Sequence, residues 1–235
     1  MSATATQTVP HPTIVSRTKA AYDGIGGALW TLNHRIAPVW VLYGAIPWGS
    51  DLRKGERAVE SYTQDWEPGR VVLDLPVGMG RMFPHYEGRI RPSRVIAVDL
   101  SDGMVGRARR SAERAGFTGD ADFVAADVAS IPLPDASVDY VLTEGGFHHF
   151  PDREAAVSEL MRVLRPGGSL AGYALVDREN LRGSISLRLC HRFSLMAAPI
   201  SAARLRSVFL AHGAADWRES KTGSLVCFAA RKPEQ

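Results

Sequence analysis

Short apolar runs rich in β-branched residues alternate with segments of helical periodicity from residue 70 onward, and this alternation strongly limits the fold. Five runs are typical of strands, over 71–75, 94–98, 122–125, 138–143 and 169–176. Helices are predicted between them over 102–115, with Ser101 as N-cap, and over 153–164. Because strand–helix–strand units join parallel neighbours, this order predicts an α/β fold with a doubly wound, mostly parallel sheet.

The C-terminal part of the chain departs from this alternation. A helix is predicted over 201–211, and two strands over 216–220 and 225–230 flank a turn that contains Gly223. This arrangement is typical of an antiparallel hairpin. We therefore predict a seven-stranded, Rossmann-like sheet that ends in a C-terminal hairpin.

The N-terminal part precedes the alternating region and differs from it in texture. Residues 1–15 are rich in Thr, Pro and Ala and are expected to be flexible. Residues 16–69 are predicted to form an N-terminal helical cap, and residues 70–235 the core, with a cap insertion at about 178–200. The cap is predicted to contain helices over 16–35 and 56–66, on either side of an irregular aromatic segment, 36–51.

Composition and charge exclude several classes of protein. With 235 residues, 45% hydrophobic and 23% charged, the chain can bury the core of an α/β domain. The net charge of +3 is spread over scattered arginines, so a nucleic-acid partner is not expected. Cys190 and Cys227 are far apart, which disfavours a disulfide or a zinc site, and no acidic cluster predicts another metal. A signal peptide is not recognisable and the apolar run 36–48 is short, so a cytoplasmic location is expected.

A glycine-containing turn follows the first predicted strand. In VVLDLPVGMGRM (71–82), Gly78 and Gly80 allow the backbone to approach a ligand closely and to adopt positive φ. Asp99 ends the second strand, 21 residues after Gly78, at the spacing where an acidic residue reaches a ribose diol. The turn and Asp99 together predict a nucleoside-binding site, although Asp99 could also serve only to cap a helix.

Four motifs in order make a family resemblance specific. They are LDLPVGMG (73–80), VDLSDGM (98–104), AADVASIPLPDASVDYVL (125–142) and LRPGGSL (164–170). In these the chain resembles the class I S-adenosylmethionine (SAM) dependent methyltransferases, in the small-molecule branch related to ubiquinone/menaquinone and natural-product enzymes. The resemblance implies SAM as cofactor and S-adenosylhomocysteine as product.

The resemblance also implies a set of cofactor-binding residues. Asp74, Gly78, Gly80 and Glu144 match positions at the methionine end, and Asp99 matches the residue that takes the ribose hydroxyls. The adenine is expected to contact four further residues: Leu100, Met104, Asp127 and Val128.

Pro76 departs from the family pattern, which usually has a glycine at this position of the cofactor loop. Proline fixes φ near −65° and has no N–H to donate. If the glycine is needed for positive φ or for a hydrogen bond, the loop must be rearranged. This motivates two alternatives: a SAM-fold enzyme without methyl transfer, such as a cyclase, and a non-catalytic partner subunit.

The segment after the fourth strand is expected to face the acceptor. His148 and His149 match the position where the family often places a histidine pair, and one of them is predicted to act as general base. The alternative is that the pair only orients its loop. Residues predicted to bind the substrate are Tyr22, Tyr43, Trp48 and Phe147, with Trp30 and Trp40 among the neighbouring aromatics.

The resemblance and the aromatic cap together predict the acceptor class. An apolar cap closing over the cofactor favours a hydrophobic small molecule, such as a quinone, polyketide or lipid-like metabolite, methylated on O or C. The apolar and basic segment 181–200 could serve instead in ordinary helix packing, in a homodimer, or in transient contact with a membrane surface.

Overall fold

The computed structural model describes residues 16, 19, 20, 22, 23, 37–193 and 195–234; for residues 37–41 it describes the backbone alone. The predictions for residues 1–15, for Trp30 and for the side chain of Trp40 therefore lie outside the described part of the chain. The described residues among 16–23 are helical. The division into a cap and a core stays a prediction.

A seven-stranded sheet forms the centre of the molecule. Its strands are β1 (Val71–Asp74), β2 (Arg94–Asp99), β3 (Asp120–Ala125), β4 (Val138–Glu144), β5 (Leu164–Leu175), β6 (Ala215–Thr222) and β7 (Leu225–Arg231). The order across the sheet is β3-β2-β1-β4-β5-β7-β6. Strands β1 to β5 pair in parallel, whereas β7 runs antiparallel to both β5 and β6. The predicted α/β fold with a C-terminal hairpin is confirmed.

Helices cover both faces of the sheet. They are α1 (Ala37–Trp48), α2 (Leu52–Tyr62), α3 (Phe83–His85, continued by a π-helical stretch Tyr86–Ile90), α4 (Asp102–Ala115), α5 (Arg153–Val163), α6 (Leu181–Arg192) and α7 (Ala202–Ala211). One hydrophobic cluster packs α5 and α7 against the sheet, and a second packs α2, α3 and α4 against the opposite face. Within the described residues, no helix combines the length and the apolar character needed to cross a bilayer.

Local signals fix most helix ends. The hydroxyl of Ser101 accepts a hydrogen bond from Met104 N, and Gly116 ends α4 in the left-handed conformation, at φ 65°. Asp152 and Ser201 cap α5 and α7 in the same way. These ends follow from short-range hydrogen bonds, so the sequence predicts them well.

Three parts of the chain differ most from the prediction. Residues 37–48 form helix α1, although the prolines and Gly44 made the segment look irregular; Pro47 lies in its last turn. Helix α2 begins at Leu52, four residues earlier than predicted, because Asp51 accepts a hydrogen bond from Lys54 N. Strand β5 begins at Leu164, five residues earlier than predicted, and includes Pro166.

Candidate functional site

A cavity opens at the carboxyl ends of β1, β2 and β4, where a doubly wound sheet places its ligands. Fourteen of the sixteen predicted site residues line it. They are Tyr22, Tyr43, Trp48, Asp74, Pro76, Gly78, Asp99, Leu100, Met104, Asp127, Val128, Glu144, His148 and His149. Residues from six separate parts of the chain thus converge on one cavity.

The loop after β1 accommodates Pro76 without losing its anchors. The peptide bond between Leu75 and Pro76 is cis. Leu75 N donates to Leu142 O of β4 at 2.9 Å, and Val77 N donates to Val98 O of β2 at 2.8 Å. Because these two N–H groups tie the loop to both neighbouring strands, residue 76 needs no N–H of its own.

The two glycines of the loop have different roles. Gly78 has φ 54°, and its N–H donates to Asp99 Oδ2 at 2.9 Å. A Cβ added there would meet open space, so this backbone is accessible from the cavity. Gly80 has φ 74°, and a Cβ there would lie 2.8 Å from Ala108 Cα. Gly80 therefore allows close packing on α4 and does not line the cavity.

Asp99 is held by backbone donors at the end of β2. Besides Gly78 N, the N–H of Ser101 donates to its Oδ1 at 3.0 Å. Burial raises the pKa of the Asp99 carboxyl to about 6, although these hydrogen bonds favour the charged form. The group is ionised at neutral pH, and its orientation is set before any ligand arrives.

Two further carboxyl groups lie at the β1–β4 end of the cavity. Asp74 accepts a hydrogen bond from the Tyr86 hydroxyl at 2.9 Å, and burial together with the charge of Glu144 raises its pKa. Burial also raises the pKa of Glu144, and Arg81 opposes this shift with Nη2 3.9 Å from Glu144 Oε2. The second anionic partner of Arg81 is Glu56, at 2.5 Å. A ligand cation would stabilise both buried carboxylates, so this end suits a positively charged group.

The opposite part of the cavity is mostly apolar. Met104 is 2% exposed and borders it beside Leu100. On the far side, Val128 is buried, and Asp127 accepts a hydrogen bond from Ala129 N at 3.0 Å. An apolar slot with a carboxylate at its edge can hold a flat ring that carries an amine.

The histidine pair lies in the loop after β4. Their rings are 4.4 Å apart, and Ala197 N donates to the backbone carbonyl of His148 at 2.9 Å. Burial lowers the pKa of His148 well below its usual value and that of His149 to about 4, so both are neutral at neutral pH. Within the described residues, His148 Nδ1 is buried without a hydrogen-bond partner.

N-terminal helical residues close over the site. The Tyr22 hydroxyl lies 2.9 Å from His149 Nε2. Asp23 Oδ1 accepts hydrogen bonds from Ser101 Oγ at 2.5 Å and from Gly103 N at 3.0 Å, at the N-terminus of α4. A negative charge there is stabilised by the helix dipole. Lys19 bonds Asp102 on the same helix and also lines the cavity.

Phe147, which was predicted to bind the substrate, does not line the cavity. Its side chain is fully buried and packs with Phe150, Phe209 and Phe228 in the core. The sequence placed it beside the histidines, but the loop turns its ring away from the cavity. Gly80 is likewise a packing residue.

The sequence analysis missed several residues that build the site. Arg81 and Tyr86 follow the motif 73–80, and Tyr173 lines the cavity from near the C-terminal end of β5. Lys19 and Asp23 come from a helix whose docking position no local pattern reveals. The available signal for Lys19 and Asp23 was their spacing of four residues, which places both side chains on one face of a helix.

Comparisons with known proteins match this chain to methyltransferases. Residues 73–172 match the family described as "Methyltransferase domain". A demethylmenaquinone methyltransferase from Thermus thermophilus is 38% identical over 136 residues, which cover 57% of this chain and 60% of that protein. The chain thus spans less than two thirds of this relative's length.

Two solved structures share the fold at low sequence identity. A chain of the complex between the Haloferax volcanii Trm112 methyltransferase activator and a methyltransferase has a TM-score of 0.68 at 19% identity, covering 92% of this chain and 97% of that one. A SAM-dependent methyltransferase from Aquifex aeolicus has a TM-score of 0.58 at 20% identity, covering 80% and 90%. Both establish the architecture alone.

Proposed function

We propose that this protein, which belongs to the class I superfamily of SAM-dependent methyltransferases, transfers a methyl group to an O or C atom of a hydrophobic small molecule. The observation that carries the proposal is a single cavity with buried carboxyl groups at one end and neutral histidines at another. The Thermus relative, named for demethylmenaquinone, favours a quinone-like ring as acceptor.

The cavity residues fit the cofactor. SAM supplies a methyl group activated by a positively charged sulfur. Asp99 would accept the ribose hydroxyls, because a carboxylate offers two acceptor oxygens to two vicinal donors. Burial raises the pKa of Asp74 and Glu144 because it disfavours their charged forms, and a cationic ligand beside them would favour ionisation. Met104 and Asp127 would hold the adenine.

His148 is the favoured general base. His148 lines the cavity, and within the described residues its Nδ1 has no hydrogen-bond partner, so an uncharged ring nitrogen is available to accept a proton from an acceptor hydroxyl. His149 is less suited to accept this proton, because its Nε2 is already hydrogen-bonded to the Tyr22 hydroxyl. We therefore assign proton acceptance to His148 and the positioning of Tyr22 to His149.

Apolar side chains in the cavity wall favour an apolar acceptor. Trp48 is 3% exposed and Phe150 is 8% exposed, and both line the cavity together with Leu175 and Leu225. Burial raises the pKa of Tyr43, another lining residue, to about 12. Such walls exclude water, which strengthens electrostatic interactions with the transferring group.

The first experiment is isothermal titration calorimetry with SAM and with S-adenosylhomocysteine. We expect binding by the wild-type protein, severe weakening in Asp99→Ala, and no change in the control Asp65→Ala, an exposed aspartate outside the cavity. Wild-type protein that binds neither compound at millimolar concentration would contradict the proposal.

The second experiment is incubation with labelled SAM and demethylmenaquinone or simpler phenols and quinones. Methylated product would exclude both a cyclase-like enzyme and a non-catalytic partner subunit. The cyclase-like alternative would be favoured if the protein bound SAM and converted a substrate to product, but the product carried no new methyl group. The retained anchors of the Pro76 loop argue against it.

A further inference from the structure

Exposed apolar side chains are concentrated on one surface. Within the described part of the chain, seven of the eight large hydrophobic residues that are exposed lie on α1, on α6 or just after α6. Leu181 is 79% exposed and Phe193 67%. We name this surface the α1–α6 face, and it comprises Leu42, Ile46, Leu181, Ile185, Leu189, Phe193 and Leu195.

The spacing of these residues produces a continuous stripe. Leu181, Ile185, Leu189 and Phe193 are four residues apart, so they share one side of α6. The α1 residues of the face are also separated by four. The hydroxyl of Ser186 donates to the Pro47 carbonyl at 2.9 Å, which joins the two helices side by side.

Positive charge flanks this stripe, and acidic residues are absent from both helices. Helix α1 has no charged residue, and α6 carries arginines only, at positions 182, 188 and 192, all exposed. Arg188 bonds Asp177 at 3.3 Å. Arg182 and Arg192 therefore give the face a net positive charge, which complements an anionic partner.

The same elements lead into the cavity. Helix α1 presents Tyr43 and Trp48 to the cavity while Leu42 and Ile46 remain exposed. After α6, the chain returns to the histidine loop, where Ala197 bonds His148. A partner seated on the α1–α6 face would thus lie beside the acceptor end of the cavity.

We propose that the α1–α6 face docks on the surface of a bilayer that contains anionic phospholipids. An apolar stripe flanked by arginines inserts its side chains at the headgroup boundary, while the guanidinium groups bind lipid phosphates. A contiguous apolar surface of this kind marks an interaction site in a soluble domain. The inference rests on the proposed function in one respect, since the bilayer would be the reservoir of the hydrophobic acceptor.

The test is co-sedimentation of the full chain with vesicles of phosphatidylglycerol and phosphatidylcholine in equal amounts, without SAM or acceptor. We expect binding that weakens at high salt and with vesicles of phosphatidylcholine alone. Arg182→Ser and Arg192→Ser should each weaken binding about fivefold. The triple variant Leu181→Ser, Ile185→Ser, Phe193→Ser should weaken it by at least about tenfold.

Leu210→Ser is the matched control, because Leu210 is 41% exposed on α7, at the opposite side of the sheet. It should bind vesicles like the wild-type protein. Since all the altered side chains are exposed, the melting temperatures should stay unchanged. The inference would be overturned if the wild-type chain did not bind the vesicles, or if the triple variant bound them as tightly as the wild-type chain does.

One result would assign the face to another occupant, and another would separate the docking inference from the proposed function. If light scattering shows a dimer that the triple variant converts to a monomer, and neither form binds vesicles, a second copy covers the face. Vesicle binding without methyl transfer would leave the docking inference standing while the proposed function fails.

Discussion

The hydroxyl of Tyr22 lies 2.9 Å from Nε2 of His149, and the two rings meet edge to face, 5.5 Å between centroids. Burial raises the pKa of Tyr22, so its phenol stays protonated and can donate to Nε2. In that arrangement the ring proton of neutral His149 resides on Nδ1. This bond joins residues 127 positions apart and fastens the N-terminal helical residues over the cavity.

Tyr22→Phe tests that bond. The variant leaves His149 Nε2 without its donor, which costs about 1 kcal/mol where the group is partly buried. We expect turnover to fall about tenfold, with a smaller change in the melting temperature. Steady-state kinetics would measure the loss of turnover. Tyr62→Phe is the control, because Tyr62 lies on α2 outside the cavity. Equal effects of the two variants would contradict a role for Tyr22 in the site.

The two histidines should differ in importance. We expect His148→Ala to lower kcat by about 10²-fold or more, as loss of a general base does. His149→Ala should lower it about tenfold, and neither variant should change SAM affinity much. Single-turnover kinetics and calorimetry separate these effects. A larger loss of turnover in His149→Ala would reverse our assignment.

Cofactor affinity should depend on pH through Asp99. Its pKa of about 6 in the ligand-free protein means that it takes up a proton as the pH falls through that value. Ribose hydroxyls would then lose a charged acceptor, so affinity should fall by up to about tenfold per pH unit below pH 6. In Asp99→Asn, affinity should be low and nearly independent of pH. A wild-type affinity that is flat from neutral pH to about 5 would contradict this role.

Protonation of His148 should have little effect on kcat near neutral pH. The lowered pKa of His148 keeps the imidazole uncharged until the pH is far below its ordinary value of about 6.5. The acidic limb of kcat, measured at saturating SAM, should therefore lie below that value. A limb centred at 6.5 would show that His148 is solvated during turnover.

Gly80→Ala should destabilise the fold. A side chain at φ 74°, with its Cβ 2.8 Å from Ala108 Cα, strains the loop and pushes it away from α4. We expect a loss of about 2 kcal/mol or more in the free energy of unfolding, measured by urea denaturation. Gly88→Ala is the control, since its Cβ would meet open space at an exposed position. Similar midpoints for both variants would refute the packing role of Gly80.

What the sequence determined about this protein is what short-range interactions decide. β-branched runs specified the five parallel strands, Ser101 capped α4, and Gly223 marked the C-terminal hairpin. The glycine turn and Asp99 predicted a binding site at the carboxyl ends of β1 and β2, because ligands bind where parallel strands end. Each of these signals acts within a few residues, so it can be read without knowing the rest of the fold.

Only the tertiary structure decided which side chains reach the cavity from elsewhere. Tyr22 meets His149, and Arg81 meets Glu144, through contacts between elements far apart in the chain. Phe147 turns into the core although its neighbours line the cavity, because it packs against Phe209 of α7 and Phe228 of β7. These outcomes depend on burial and on long-range packing, which the order of residues along the chain does not reveal.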